Sequence, residues 1–388
     1  MHTVWQPFDV GESPPFGASI VGVAIASRIP RRHEWMGAQV ANVQDSGSAP
    51  QVRRFDYDVT NTVDVSSISA VRDATGELFI DLWPGASLDE LWLAFHDFRR
   101  LFEGNMPGYE GCDTVYHDIQ HTLDMTLAMA RLVTGYERTV DEPEQLGPDR
   151  AVLGVICALF HDSGYIRDSG DDRHSNGAEY TMWHVTRSAE FLRTYLPRLR
   201  LRHLAHIAAE MVHFTGYERK FTGIQLDDPL DSMVGHLLGT ADLIAQMSDR
   251  CYLEKCRDRL YLEFVLGGIA IEDEGNGLQR VRYQSGIDLL LQTPTFYKTV
   301  VKKRLDVDFD KAYRYIEAIY DGRNPYLEFI ERNIAYLEHI IETGEWPALR
   351  RSPPCYTVNE DPVSAANVLV NQKILAMRSS PVLSEVPA

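Results

Sequence analysis

Histidines crowd about one third of this 388-residue sequence. Of its thirteen histidines, nine lie between His117 and His236. In YHDIQHTLDM, His117, His121 and Asp124 have the spacing i, i+4 and i+7, which predicts that they share one face of a helix. Neutral imidazoles and carboxylates gathered between helices are ligands for Zn²⁺, iron or Mn²⁺. The pattern therefore predicts a metal site.

Four later segments offer further ligands. ALFHDSGYIRD ends an apolar run with His161 beside Asp162, although neighbours on a helix diverge by about 100°. EYTMWHVTRSAEFL contains His184, and HIAAEMVHFTG contains His213. LLGTADLIAQMSD contains Asp242 within an apolar helix, where an unpaired carboxylate is costly. Together these groups are numerous enough for two metal ions that share a bridging carboxylate.

In sequence order these residues form H…HD…H…H…D, which resembles the dinuclear branch of the HD-domain superfamily of metal-dependent phosphohydrolases. YHDIQHTLDM is also similar to the YHNxxHAxDV motif of class I cyclic-nucleotide phosphodiesterases. The resemblance covers residues 90–260. It implies two divalent metal ions (Fe, Mn, Zn or Mg) bound by six side chains: His121, His161, Asp162, His184, His213 and Asp242.

The resemblance also implies a mechanism with two catalytic residues. Asp162 would bridge the metals together with a hydroxide that attacks phosphorus, and His117 would protonate the leaving oxygen. The expected function is hydrolysis of a cyclic nucleotide or a related phosphoester. Two departures limit the assignment. Tyr165 stands where class I phosphodiesterases have the second histidine of HDxxHPG, and Phe214 follows His213 where the HD-GYP family has a His-His pair.

Two alternatives stay open. A mixed-valent di-iron oxygenase, as in the myo-inositol oxygenase group, resembles the same ligand set. His117 favours hydrolysis, because an oxygenase has no leaving alkoxide to protonate. A non-catalytic HD regulator that binds a nucleotide is disfavoured by the complete ligand set.

Composition narrows the partners. A net charge of −18 disfavours nucleic-acid duplexes and anionic membranes, and it requires cations at any phosphate-binding site. The expected partner is a small phosphorylated substrate, such as a nucleotide, and a homodimer stays open. Five cysteines without a CxxC pair indicate a reducing cytoplasm. Neither an 18-residue apolar run nor a signal-peptide pattern occurs.

The sequence predicts a mainly α fold, an HD-type helical bundle, in three parts. Residues 1–86, with QVRRFDYDVTNTVDV and GELFIDLW, predict a small N-terminal region with strands. Ser87 and Glu90 suggest a capping box at the start of the helical hydrolase domain, 87–345. Residues 346–388 are proline-containing and predict a C-terminal tail with one short helix in AANVLVNQKILAM.

Overall fold

Helices make up nearly all of the regular structure in the residues that the computed structural model describes, 53–275 and 278–379. The prediction of a mainly α fold is confirmed. The helices of this part of the chain are α1 (Ile68–Leu82), α2 (Asp89–Phe102), α3 (Ile119–Thr139), α4 (Gly147–Phe160), α5 (His184–Tyr195), α6 (Ala205–Met211), α7 (Pro229–Ser248), α8 (Tyr252–Lys255), α9 (Tyr261–Leu266), α10 (Gly286–Phe296), α11 (Pro325–Thr343) and α12 (Pro362–Ser379).

Short 3-10 and π segments join these helices, and one hairpin stands beside them. In the hairpin, β1 (Ile271–Gly275) and β2 (Leu278–Val281) are antiparallel, with Ile271 opposite Val281. The connecting turns are the 3-10 segments Ser163–Tyr165, Gly177–Tyr180, Leu196–Arg198, Arg202–Leu204, Val212–Phe214, Phe221–Gly223, Ala312–Ala318 and Trp346–Ala348, and the π segments Cys256–Leu260, Tyr297–Val301 and Arg304–Asp308.

The core is built around α3, which packs against α1, α4 and α7. Almost every side chain of α3 is buried, so this helix has neighbours on all sides rather than one apolar stripe. Gly135 allows the closest approach, since a Cβ atom at this position would lie 1.8 Å from the carbonyl oxygen of Tyr315. A side chain there would push apart α3 and the turn Ala312–Ala318.

The N-terminal prediction is partly wrong. Seven of the eight residues of GELFIDLW, up to Leu82, belong to α1, whose buried Val71, Thr75 and Phe79 recur at helical spacing and pack towards α3. Tertiary packing therefore overrides the strand preference of its apolar and aromatic residues. Residues from Arg53 onward belong to one compact unit, so 53–86 join the helical body. The rest of the predicted strand region, 1–52, lies outside the described residues.

The predicted capping box also differs from the structure. The residue that caps α2 is Leu88, and it makes no side-chain hydrogen bond to the helix. Ser87 Oγ accepts a hydrogen bond from the Asp89 backbone N–H instead (3.2 Å), while Glu90 lies 3.4 Å from Arg200. The reciprocal pair of a capping box is therefore replaced by one local bond and one ion pair.

The segment 349–358 lies along the loop 112–118, which precedes α3. The backbone N–H of Val358 donates to the carbonyl of Cys112 (2.9 Å), and that of Ile119 donates to the carbonyl of Tyr356 (3.2 Å). Helix α12, which contains the predicted short helix, packs on α9 through the buried Ala366. The C-terminal segment is thus part of the folded body.

Within residues 53–275 and 278–379, every helix is too short or too polar to cross a membrane.

Candidate metal centre

His121 lies in the first turn of α3 and is directed into the protein. Asp118 caps this helix, because its carboxylate accepts a hydrogen bond from the His121 backbone N–H (3.0 Å). The surrounding α3 side chains are buried, and His121 itself is 8% exposed. A buried imidazole needs polar partners, so its surroundings indicate its role.

His161 and Asp162 follow the last residue of α4. His161 keeps helical dihedral angles (φ −60°, ψ −32°), whereas Asp162 departs from them (φ −103°, ψ 9°). The backbone thus leaves the helical path between these neighbours, and both side chains are buried, with 2% exposure each. This bend explains how adjacent residues, which diverge within a continuous helix, enter one site.

Four predicted ligands meet where α3, α4 and α7 pack together. Asp162 Oδ2 lies 3.4 Å from His121 Nε2 and 3.1 Å from His161 Nε2. Asp242 Oδ1, from α7, lies 3.6 Å from His121 Nε2 and 3.9 Å from His161 Nε2. Donor atoms of His121, His161 and Asp162 all lie within 4.8 Å of one another. Two imidazoles and two carboxylates are a suitable ligand set for one divalent transition metal.

The unpaired atoms of this cluster suit a bound cation. Among residues 53–275 and 278–379, His161 Nε2 and Asp162 Oδ2 are buried and have no hydrogen-bond partner. His161 Nδ1 lies 2.8 Å from the carbonyl oxygen of Ala158, so in the neutral ring this nitrogen carries the proton and Nε2 keeps its lone pair. Because unpaired buried polar atoms are costly, a cation would satisfy both.

Carboxylates control the protonation of His161. Burial disfavours the charged ring of His161, but Asp162 and Asp242 outweigh it and raise the pKa of His161 to about 9. Conversely, burial opposes the Asp162 carboxylate, but His161 and His117 hold the pKa of Asp162 well below its ordinary value. Metal ligands release their protons on binding. A cation would therefore replace the positive charge that protons supply to this cluster.

His184 faces the other oxygen of Asp162. Its Nε2 lies 3.8 Å from Asp162 Oδ1, and its Nδ1 lies 2.8 Å from the carbonyl oxygen of Thr181. Glu218 fixes the start of α5 by accepting hydrogen bonds from two backbone N–H groups in its first turn (2.6 and 3.0 Å). Burial lowers the pKa of His184 to about 4, so the ring is neutral. Asp162 is thus flanked by imidazoles on both of its oxygens.

His213 is not part of the close cluster. It lies in the turn Val212–Phe214, which packs on α5, the helix that begins with His184. His213 is buried, and within the described residues neither ring nitrogen has a hydrogen-bond partner. Burial lowers the pKa of His213 to about 4, so the ring is neutral near pH 7 and one ring nitrogen keeps a lone pair that could bind a metal. Metal binding by His213 stays a prediction.

His117 lies in the loop before α3, so the prediction that it shares a helix face with His121 is wrong: the helix begins only at Ile119. Its position is set by Glu263 of α9 instead. His117 Nδ1 lies 2.5 Å from Glu263 Oε2, and Glu263 Oε1 accepts the backbone N–H of Tyr116 (2.6 Å). The Glu263 side chain is 1% exposed, whereas that of His117 is 17% exposed. A fixed, buried carboxylate therefore holds a partly accessible imidazole.

Charge and stacking both act on His117. Burial disfavours its charged form, but Glu263 and Asp162 outweigh it and raise the pKa of His117 to about 9. Tyr165 stacks on His117 (4.7 Å between ring centroids, 20° between planes) and, in turn, on His184 (4.3 Å, 17°). Tyr165 thus lies between the His117 and His184 rings and connects them by stacking.

Sequence reasoning missed Glu263 as a partner of His117. Its signal was present in YLEFVL, where one carboxylate stands among apolar residues, as Asp242 does in α7. His117 and Glu263 lie 146 positions apart in the sequence, so no helical or strand spacing links the two residues. Their contact depends on how α9 packs beside the loop 112–118.

A family model described as Npun_R2479-like matches residues 171–340, which is under half of the chain. The matched range contains three of the six predicted ligands, His184, His213 and Asp242, and begins after the other three. No curated protein and no solved structure matches the sequence significantly. Since the family description names no reaction, the chemistry has to be inferred from the site.

Proposed function

We propose that this chain is a metal-dependent phosphohydrolase of the HD type, acting as a phosphodiesterase on a cyclic nucleotide or a related phosphoester. One observation supports this most strongly. The buried cluster of His121, His161 and Asp162, with Asp242 beside it, lies near an imidazole that a buried carboxylate holds, the His117–Glu263 pair. Metal ligands and a proton donor are the two parts that ester hydrolysis needs.

We choose the proposed metal ligands from the side chains that lie around Asp162. On its Oδ2 side, His121, His161 and Asp242 would hold one divalent cation. On its Oδ1 side, His184 would contribute to a second. Bound there, such cations polarise phosphoryl oxygens, lower the pKa of water and reverse the local effect of the −18 net charge.

His117 supplies the proton for the leaving oxygen. Its Nδ1 is engaged by Glu263 Oε2, which leaves Nε2 as the donating atom. The Glu263 charge favours the protonated ring, the form that a general acid needs before it transfers its proton. Glu263 acts as a positioning residue, because it fixes the ring and, through the Tyr116 N–H, the backbone beside it.

Hydrolysis is tested with metal-free protein reloaded with Mn²⁺ or, separately, Fe²⁺. Bis(p-nitrophenyl) phosphate, cyclic AMP, cyclic GMP and cyclic di-GMP serve as substrates, and bound metal is measured by elemental analysis. Asp162→Asn should lose metal and turnover together. His117→Ala should keep the metal, with kcat lowered roughly 10²- to 10⁴-fold. His174→Ala is the matched control, because His174 pairs with Asp171 outside the cluster.

Two outcomes would contradict the proposal. Metal loss in His117→Ala would mean that His117 is a ligand rather than a proton donor. A fully loaded protein that hydrolyses none of the four esters would exclude the phosphodiesterase. Substrate-dependent oxygen consumption by the iron-loaded protein would then favour the oxygenase alternative.

A further inference from the structure

A small cavity of about 20 Å³ adjoins the candidate metal centre, with His121 in its wall. The remaining wall comes from the loop 112–118, α3, the end of α7 and α8, and includes Gln120, Asp124, Asp249 and Lys255. A space of about 10–15 Å³ holds one water-sized group, so this cavity accommodates one or two groups the size of a hydroxyl.

Gln246 connects this cavity to a predicted ligand. Its side-chain amide donates to Asp242 Oδ1 (3.1 Å), and its carbonyl oxygen accepts a hydrogen bond from the Tyr116 hydroxyl (3.1 Å). The amide also donates to the Asp242 backbone carbonyl (3.2 Å), so both of its N–H groups are used and Gln246 orients Asp242. A molecule whose reacting group lies at Asp242 and His121 would extend directly into this space.

Two side chains of the cavity wall, Lys255 and Asp124, keep unused hydrogen-bonding capacity. The Lys255 ammonium has three N–H donors, and two of them are used, by Gln120 Oε1 (2.9 Å) and Asp249 Oδ2 (2.5 Å). No third partner for Lys255 occurs in the part of the chain that the structure describes. In that same part, Asp124 Oδ1 is buried without any hydrogen-bond partner.

This remaining capacity defines a ligand chemistry. A hydroxyl group is small, and it can accept from Lys255 while donating to Asp124. A phosphate is poorly suited, because it is larger than the cavity and because Asp249 already neutralises the lysine that would bind it. An apolar group would leave both buried polar atoms unpaired.

We infer that this cavity binds hydroxyl groups of the substrate, so the enzyme acts on phosphate esters of sugars or other polyols. The inference rests on the proposed phosphohydrolase function and specifies its substrate class. Cyclic ribonucleotides, whose ribose keeps a free hydroxyl, fall within this class, and esters of simple phenols do not.

The test measures binding, independently of turnover. Ribose 5-phosphate, 2-deoxyribose 5-phosphate, phenyl phosphate and inorganic phosphate are titrated by calorimetry into Mn²⁺-loaded protein. A hydrogen bond to a charged group contributes about 1.5–3 kcal/mol, which corresponds to roughly 10- to 100-fold in affinity. Ribose 5-phosphate should therefore bind at least about 10-fold more tightly than phenyl phosphate, with the deoxy sugar equal to or weaker than ribose 5-phosphate.

Two variants localise this preference. Asp124→Ala should remove the advantage of ribose 5-phosphate over phenyl phosphate and leave the affinity for inorganic phosphate unchanged. Lys255→Met should do the same. If this variant does not fold because Asp249 has lost its lysine partner, Asp124→Ala still decides the question. Asp258→Ala is the control, since Asp258 is exposed and pairs with Arg257.

Equal affinity of the sugar and phenyl esters would overturn the inference, because the cavity would then hold solvent alone. Absence of binding by every probe would overturn it too. A preference that persists in Asp124→Ala would mean that another surface reads the hydroxyls. Hydrolysis of bis(p-nitrophenyl) phosphate, which carries no hydroxyl, reports separately on the proposed function.

Discussion

Asp162→Asn should abolish the stabilisation of this protein by metal. The substitution keeps the shape of the side chain and removes the charge that faces His121 and His161 through Oδ2 and His184 through Oδ1. An amide can offer one neutral oxygen at most, so neither side of the residue would retain a carboxylate ligand. The variant should fold, because the altered atoms lie in the cluster rather than in the apolar core.

The size of the expected shift in Tm follows from the linkage between metal binding and folding. A ligand that binds the folded state alone adds about 2.7 kcal/mol at 100 times its dissociation constant. Unfolding entropy is about 2.1 cal/mol/K per residue, so a unit of about 330 residues has an unfolding entropy of about 0.7 kcal/mol/K. Saturating Mn²⁺ should therefore raise the Tm of the unsubstituted protein by about 4 °C and that of Asp162→Asn by less than about 1 °C.

Differential scanning calorimetry over a Mn²⁺ series measures this shift, with chelated samples as the starting point. Asp258→Asn, at an exposed carboxylate, should keep the full shift. An equal rise in Tm for Asp162→Asn would refute the assignment of Asp162 as the shared ligand. A flat series for the unsubstituted protein would refute the metal site itself.

Three further predictions concern other parts of the structure. Glu263→Gln should lower kcat by roughly 10- to 100-fold with unchanged bound metal, because His117 loses the charge that holds its proton. Gly135→Ala should destabilise the fold by about 3 kcal/mol or more in urea unfolding, because its Cβ would meet the Tyr315 carbonyl. Burial opposes ionisation of Asp58, but the charge of its buried partner Arg131 outweighs the effect of burial and lowers the pKa of Asp58 to about 2. This depressed pKa contributes about 2 kcal/mol of stability above pH 4, which should be lost as the pH falls towards 2.

Each of these has a control. Metal loss in Glu263→Gln would mean that the carboxylate supports the ligands rather than His117. Gly85→Ala should be nearly neutral, since no atom lies within 4 Å of a Cβ there, and equal destabilisation by both glycine substitutions would contradict the close-approach explanation. Asp58→Asn should flatten the acid limb of a plot of unfolding free energy against pH; an unchanged limb would assign it to other carboxylates.

The sequence predicted the parts of the structure that depend on local spacing. Helical periodicity and isolated polar residues in apolar segments identified α3, α4 and α7 and the four side chains that meet there. The strand prediction for GELFIDLW failed because the partner of that segment, α3, lies far along the chain and decides its conformation. The sequence placed His117 inside α3, but the helix begins two residues later, at Ile119. Helix boundaries are the feature that a periodic pattern defines least well.

The remaining features of the site depend on long-range packing. Glu263 reaches His117, and Lys255 reaches Gln120, across more than 130 positions. Such pairs have no sequence spacing of their own. A lone buried carboxylate or lysine indicates that a partner exists, and the tertiary structure alone identifies it.

The contact between the segment 349–358 and the loop 112–118 has a consequence for biosynthesis. Chains emerge from the ribosome in sequence order, and the loop that carries His117 receives its bonds from Tyr356 and Val358. Helices α1 to α4 can pack while translation continues, but this loop acquires its final partners only after residue 358 has been made. A nascent or prematurely terminated chain would therefore contain the predicted ligands His121, His161 and Asp162 before the loop around His117 has all of its contacts.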